Sequence, residues 1–155
     1  MHLDHAWIAG HIPHQGAMCL IDEVLDWNAI DICCRTTSHR LNTNPLRTAA
    51  CLRAECGIEY AAQAIAIHGV LNRAPQESSP IAGMLANVRG VNLHVTRLDD
   101  IDGDLVIRGA RVGGDTTALL YTFSISSESN VLLAGRATIV LRRPGVMPAG
   151  AESGE

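Results

Sequence analysis

A histidine and a carboxylic acid are the residues of this sequence best placed to carry out acid–base chemistry. His14 follows a proline and lies just ahead of a short apolar run, residues 17–21. Glu59 lies in a string of small and apolar residues, and Gln63 follows it one helical turn later. A carboxyl group in apolar surroundings tends to hold its proton and can donate it, while a neutral imidazole can accept one. Such a pair is suited to the elimination of water.

In that chemistry, the imidazole of His14 would remove a proton next to a thioester carbonyl, and Glu59 would protonate the departing hydroxyl group. The charge that develops on the carbonyl needs backbone N–H donors, which the N-terminus of a helix supplies. Each residue also has a simpler interpretation. Glu59 could lie on an exposed stripe or pair with an arginine, and His14 could lie on the surface of a loop.

Metal and nucleophilic chemistry have less support. His11 and His14 are spaced as a ligand pair, but the intervening proline prevents a regular helix and no carboxylate or cysteine completes a set, so no metal is predicted. The five cysteines include no C-x-x-C pair and are predicted to be small buried side chains in a reducing compartment. Cys56 has no histidine spaced to activate it on a helix.

The composition is typical of one globular domain. The chain has 155 residues, of which 47% are apolar and only 3% aromatic, so Ala, Val, Ile and Leu must build the core. A net charge of -4 gives no electrostatic case for nucleic-acid binding. No apolar run approaches the roughly 20 residues that a membrane span needs, and we expect a cytoplasmic protein. We predict a domain over 1–143 and a disordered tail over 144–155.

The order of elements predicts an α+β domain. An alanine-rich segment without proline predicts one long helix over 50–71, buried nearly all round. One strand is predicted within 20–37 and a loop over 72–83. Four alternating segments follow, at 91–96, 105–112, 119–125 and 131–143. An antiparallel sheet curved around one apolar helix is the economical packing, and its exposed edge predicts a homodimer.

Two motifs resemble a known enzyme family. The segment "IPHQGAMCLIDEV", 12–24, resembles the histidine segment of FabZ-like 3-hydroxyacyl-acyl-carrier-protein dehydratases, and "GIEYAAQAIAIHG", 57–69, resembles their central-helix motif. The combination of "PHxGxM", "NPLR", "GIEYAAQ" and "GRATIVL" more closely resembles the ApeP-like branch, which is associated with aryl-polyene lipid synthesis. The resemblance implies the hotdog fold, in which an antiparallel sheet wraps around a long helix.

The resemblance also implies roles for individual residues. His14 matches the catalytic histidine, Glu59 the catalytic acid, and Gln63 a glutamine that helps to orient the site. In the family, the two catalytic residues come from different subunits of a dimer. The substrate thioester is carried on the phosphopantetheine arm of an acyl carrier protein, and no further cofactor is implied. The implied partners are this carrier protein and a second hotdog chain, either a copy or a paralogue.

The helix start departs from the family pattern. The dehydratases carry Pro-Gly about five residues before the acid, and the glycine amide helps to polarise the thioester carbonyl. Arg53 and Ala54 stand at that place here, so the amide of Ala54 is the predicted substitute. Gly16, in place of a larger residue, predicts room for a differently shaped acyl chain.

Two other functions remain open at this point. A hotdog thioesterase would use Glu59 to activate or position water and would not need His14. A non-catalytic hotdog subunit that partners an active dehydratase would have these two residues occluded or far apart, and the altered helix start is the feature that favours it.

Overall fold

The computed structural model describes residues 3–73 and 82–142. Those residues form one antiparallel sheet and one long helix, as the sequence predicts, and the predicted tail over 144–155 lies outside the described residues. The helices and strands are α1 (His5–Ala9), β1 (Glu23–Trp27), β2 (Asp31–Thr36), α2 (Gly57–Leu71), β3 (Ala82–Leu93), β4 (Leu105–Gly114), β5 (Ala118–Ser127) and β6 (Asn130–Arg142).

The six strands follow the order β1-β2-β4-β5-β6-β3, and every neighbouring pair is antiparallel. The sheet curves around α2, whose apolar residues pack against its inner face. Gly57 allows the helix to begin in contact with β6, because a Cβ at this position would lie 2.7 Å from a methyl carbon of Leu133. The long helix inside a curved antiparallel sheet confirms the predicted α+β architecture.

The single strand predicted within 20–37 is in fact two strands, β1 and β2, joined by a turn. The Asn28 side chain closes this turn, since its Oδ1 accepts hydrogen bonds of 2.8 Å from the amides of Ile30 and Asp31. An asparagine that bonds the backbone two residues ahead is a common turn former. The alternating pattern therefore identified the strands but not the break between them.

The long helix begins later than the sequence predicts, at Gly57 rather than near residue 50. A 3-10 turn over Ala54–Cys56 precedes it, and the backbone before that turn is extended because Leu52 makes tertiary contacts. The Leu52 carbonyl accepts a 2.8 Å bond from the Leu98 amide, and its amide donates to Asp99. These bonds override the helix propensity of the alanines. Before the histidine segment lies α1, which the Asp4 side chain caps by accepting from the Trp7 amide at 3.0 Å.

The strand β3 begins within the predicted loop and forms one edge of the sheet. Among the described residues it pairs only with β6, so its other edge has no strand partner. Its side chains are largely exposed, and Met84 and Leu93 are 51% and 43% exposed. Over the ranges that the structure describes, no helix is both long and apolar enough to cross a membrane.

Candidate active site

The histidine segment forms a tight bend that ends on the central helix. Gly16 has a φ of 58°, a left-handed conformation that glycine adopts without steric cost, and it opens a single 3-10 turn over Gly16–Met18. A Cβ at Gly16 would have no atom within 4 Å, so the space beside it is open. The bend requires glycine for its backbone angles, while the predicted role of Gly16 toward the acyl chain stays a prediction.

Gln63 fastens this segment to the helix. Its side chain is fully buried, and its amide nitrogen donates to the Met18 carbonyl at 2.7 Å and to Glu59 Oε1 at 3.1 Å. Its amide oxygen accepts from the Leu20 amide at 2.9 Å. All the strong contacts of one buried side chain therefore go to the histidine segment and to the carboxylate one turn away on its own helix.

The carbonyl of Leu20 is fixed as well, by hydroxyl groups that sequence reasoning missed. Ser38 Oγ donates to it at 2.7 Å, and Thr36 Oγ1 also donates to it. Ser38 is in turn 2.9 Å from the hydroxyl of Tyr60 on the helix, and Asn44 donates to that hydroxyl at 2.9 Å. Tyr60 carried the one usable signal in the sequence, because a hydroxyl on an apolar helix must find a partner.

The bend and the helix bring His14 and Glu59 into contact. His14 Nε2 lies 3.2 Å from Glu59 Oε1, and the two side chains are 27% and 31% exposed. The other ring nitrogen, Nδ1, is buried and has no hydrogen-bond partner among the described residues. Glu59 is thus less buried than the helix pattern predicts, because the histidine segment rather than the apolar core covers it. A carboxyl group and an imidazole at this separation can exchange a proton and are open to a small reactant.

Both members of the pair belong to one chain. The pairing across two subunits that the family resemblance implies stays a prediction, and within this chain His14 and Glu59 are already in contact. The physical reason is the attachment through Gln63, which holds the histidine segment against the helix of its own chain. The acid and the base therefore need no second subunit to meet.

The prediction for Ala54 is wrong. Its amide donates a 3.1 Å hydrogen bond to the Thr96 carbonyl, and the residue is completely buried, so this N–H cannot bind a substrate carbonyl. The neighbouring Arg53 is exposed and forms a β-bridge with Arg97. The tertiary hydrogen bonds that delay the start of the helix therefore also engage the Ala54 amide, which lies at the family's carbonyl-binding position.

Other reactive groups stand apart from this site. Burial raises the pKa of the Cys56 thiol, whose Sγ lies 3.8 Å from the Leu46 carbonyl, so a thiolate is disfavoured. Within the described ranges, no group of three His, Cys, Asp or Glu side chains is arranged to hold a metal ion. His11 instead contacts the backbone of α1, since its Nδ1 lies 2.7 Å from the Trp7 carbonyl.

Comparison with solved structures identifies the fold. A chain of the dehydratase heterocomplex ApeI:P from Xenorhabdus doucetiae superposes with a TM-score of 0.77 at 23% identity, covering 88% of this chain and 91% of that one. A thioesterase from Haemophilus influenzae gives a TM-score of 0.57 at 12% identity, covering 78% of each chain. A protein described as a hypothetical thioesterase, with coenzyme A, from Streptococcus pneumoniae gives a TM-score of 0.56 at 14% identity, covering 78% of this chain and 85% of that one. The predicted hotdog fold is confirmed.

The family follows from the sequence itself. A search of curated protein sequences finds no match. The family profile described as ApeP-like, ApeP dehydratase, matches residues 7–145, which include the histidine bend, the central helix and all six strands. The chain therefore belongs to the ApeP-like dehydratase family.

Proposed function

We propose that this protein dehydrates 3-hydroxyacyl thioesters carried on an acyl carrier protein and releases trans-2-enoyl thioesters. The observation that supports this proposal most is the contact of 3.2 Å between His14 Nε2 and Glu59 Oε1 in a partly exposed position. The reaction needs one group to accept a proton and another to donate one, on atoms that are neighbours in the substrate. Membership of the ApeP-like dehydratase family supports the same reaction class.

In the proposed mechanism, the substrate replaces the direct contact between the two side chains and presents its two reacting carbons to them. The imidazole of His14 takes the proton from the carbon next to the thioester carbonyl. Glu59 donates its proton to the hydroxyl group on the following carbon, which leaves as water while the carbon–carbon double bond forms. Gln63 donates to Glu59 Oε1 and holds the histidine segment, so it acts as a positioning residue. No further cofactor is needed for this exchange of protons.

The proposed biological setting is fatty-acid or aryl-polyene lipid synthesis, in which the acyl chain hangs from the phosphopantetheine of the carrier protein. The ApeI:P structure is a heterocomplex, which supports a second hotdog chain as the partner, either a copy or a paralogue. The unpaired edge of β3 offers backbone N–H and C=O groups for such pairing. Since the buried Ala54 amide is already bonded, the thioester carbonyl must take its donor from elsewhere, including the partner.

The test is the interconversion of a 3-hydroxyacyl and an enoyl thioester on a carrier protein, followed by absorbance and mass. We expect His14→Ala and Glu59→Gln each to lower kcat at least about 100-fold, the lower range for a general acid or base. Glu55→Gln is the matched control, because Glu55 lies exposed one turn before Glu59 and should keep full activity. Unchanged turnover in His14→Ala would contradict the proposal.

Two alternatives are decided by the same experiment. Glu59 is partly exposed and could position a water molecule for thioester hydrolysis, as a hotdog thioesterase requires. In that case, product analysis would show free acid, and His14→Ala would retain activity. The bonded Ala54 amide favours the second alternative, a non-catalytic partner subunit. That function predicts that both substitutions leave the activity of the assembled complex unchanged.

A further inference from the structure

The sheet face opposite α2, called here the outer face, carries two arginines without ion-pair partners. Arg89 on β3 and Arg136 on β6 are direct cross-strand neighbours, and both are exposed. None of the described carboxylates forms an ion pair with either of them. Like charges directly opposite each other destabilise a pair of strands. An anionic group outside the chain would relieve this repulsion.

The same face has a hollow with carboxylates at its rim. Its volume is about 400 Å³, and it is lined in part by Asp26, Asp31 and Arg108. Neither aspartate forms an ion pair within the described ranges. The floor consists largely of small side chains, among them Cys33, Ala110, Thr122 and Ser124. The two aspartates outnumber Arg108, whose guanidinium donates to Ser126, so the hollow can accept a second guanidinium that pairs with a carboxylate.

The strand register puts the two kinds of charge on one line. Asp31, Ala110, Thr122, Arg136 and Arg89 are successive partners across the sheet. Asp31 on β2 and Arg136 on β6 are three strands apart, a distance of roughly 14 Å at about 4.8 Å per strand. Side chains so far apart on the same face cannot form an ion pair within one chain. The acid and the base are therefore available to a molecule that covers the face.

We infer that the outer face binds a second copy of this chain, face to face, about a two-fold axis parallel to the strands. Such an axis between β4 and β5 exchanges β2 with β6 and leaves the position along the strands unchanged. It therefore sets Arg136 of each copy opposite Asp31 of the other and directs an arginine toward each hollow. Sheets that pack face to face keep their strands within about 30° of each other, which this axis allows.

The outer face also carries exposed apolar side chains, one of which lies beside the same axis. Met84, Leu120 and Val140 lie near one end of the sheet and are 51%, 43% and 41% exposed. Leu120 on β5 lies beside this axis, so the Leu120 side chains of the two copies face each other, whereas Met84 and Val140 lie over the β1–β2 side of the other copy. The face spans roughly 24 Å by 20 Å from the strand spacings and curves away from the axis, so the pair would bury at most about 1,000 Å². That area is at the lower limit for a specific interface and predicts reversible association.

The test is a charge exchange in the full chain, in whatever assembly it forms with a hotdog partner. Sedimentation and light scattering over a range of concentrations would compare Asp31→Arg, Arg136→Asp and the double variant. We expect each single variant to weaken the face-to-face association at least about tenfold, because it replaces two attractions by two repulsions in a symmetric interface. The double variant should restore the association to within about threefold of the original.

Asp102→Arg is the matched control, since it makes the same charge change on an exposed loop residue away from the sheet. It should leave the association unchanged. Association that neither single variant weakens, or that the double variant fails to restore, would overturn the inference. If all variants showed one assembly step with the same dissociation constant, the two copies would associate through the β3 edge and not through the outer face. That result would also overturn the inference. Enzyme activity is not a readout here, so the proposed function stands or falls separately.

Discussion

Replacing Gln63 by leucine should destabilise the fold and impair the candidate site together. Gln63→Leu leaves the buried Leu20 amide without an acceptor and removes the donor to the Met18 carbonyl. Each buried polar group left without a partner costs about 1–3 kcal/mol, and the leucine side chain recovers part of this by apolar burial. We therefore expect the free energy of unfolding to fall by about 2–4 kcal/mol. A domain of this size is stable by about 5–15 kcal/mol and should remain folded.

Urea titration followed by circular dichroism measures this change, with constant m-values as evidence that both states are unchanged. Gln15→Leu is the control, because Gln15 is exposed and makes only a 3.4 Å contact with the Ala9 carbonyl. It should alter the free energy of unfolding by less than about 0.5 kcal/mol. In the dehydration assay, Gln63→Leu should lower kcat, since His14 loses its fixed position. The factor by which kcat falls should be about 10–100 times larger than the factor by which KM changes. A Gln63→Leu protein as stable as the control would refute the role given to these hydrogen bonds.

Three further outcomes are expected from urea titrations. Gly16→Ala should cost about 1–2 kcal/mol because of its left-handed backbone, whereas Gly69→Ala, in the helix interior with open space beside it, should stabilise by about 0.5–1 kcal/mol. Burial lowers the pKa of both His39 and His68, so the unfolded chain binds more protons below about pH 6.5. The free energy of unfolding should therefore fall from pH 7 to pH 5, and His68→Gln should reduce that slope. Tyr60→Phe should cost about 1–2 kcal/mol by removing a hydroxyl with two buried partners, and a neutral effect would contradict that reading.

The parts of the site that sequence predicted best depend on local spacing. Glu59 and Gln63 are four residues apart on a helix, and the structure joins them by a 3.1 Å hydrogen bond. The bend at Gly16 was also readable, because proline and glycine mark such places. What His14 would meet was not readable from spacing, since its contact with Glu59 spans 45 positions of the chain and depends on the packing of the whole sheet.

The failures share one physical cause, which is that tertiary hydrogen bonds override local preference. The alanines before Gly57 favour a helix, but Leu52 and Ala54 are bonded to the loop that contains Thr96 and Leu98. No period or composition in the sequence reports those bonds. The same is true of the hydroxyl groups around the Leu20 carbonyl, whose partners come from three separate segments.

The hydrogen bonds at both backbone groups of Leu20 have a consequence for how activity is lost on heating. Its N–H and its C=O are both bonded inside the core, to a helix residue on one side and to the hydroxyl groups of Thr36, at the end of β2, and Ser38 on the other. Fraying of the chain terminus cannot release such a peptide, since its opening requires the helix and the sheet to separate. The histidine bend is therefore retained until the domain as a whole melts, so that the thermal inactivation curve and the unfolding curve should coincide.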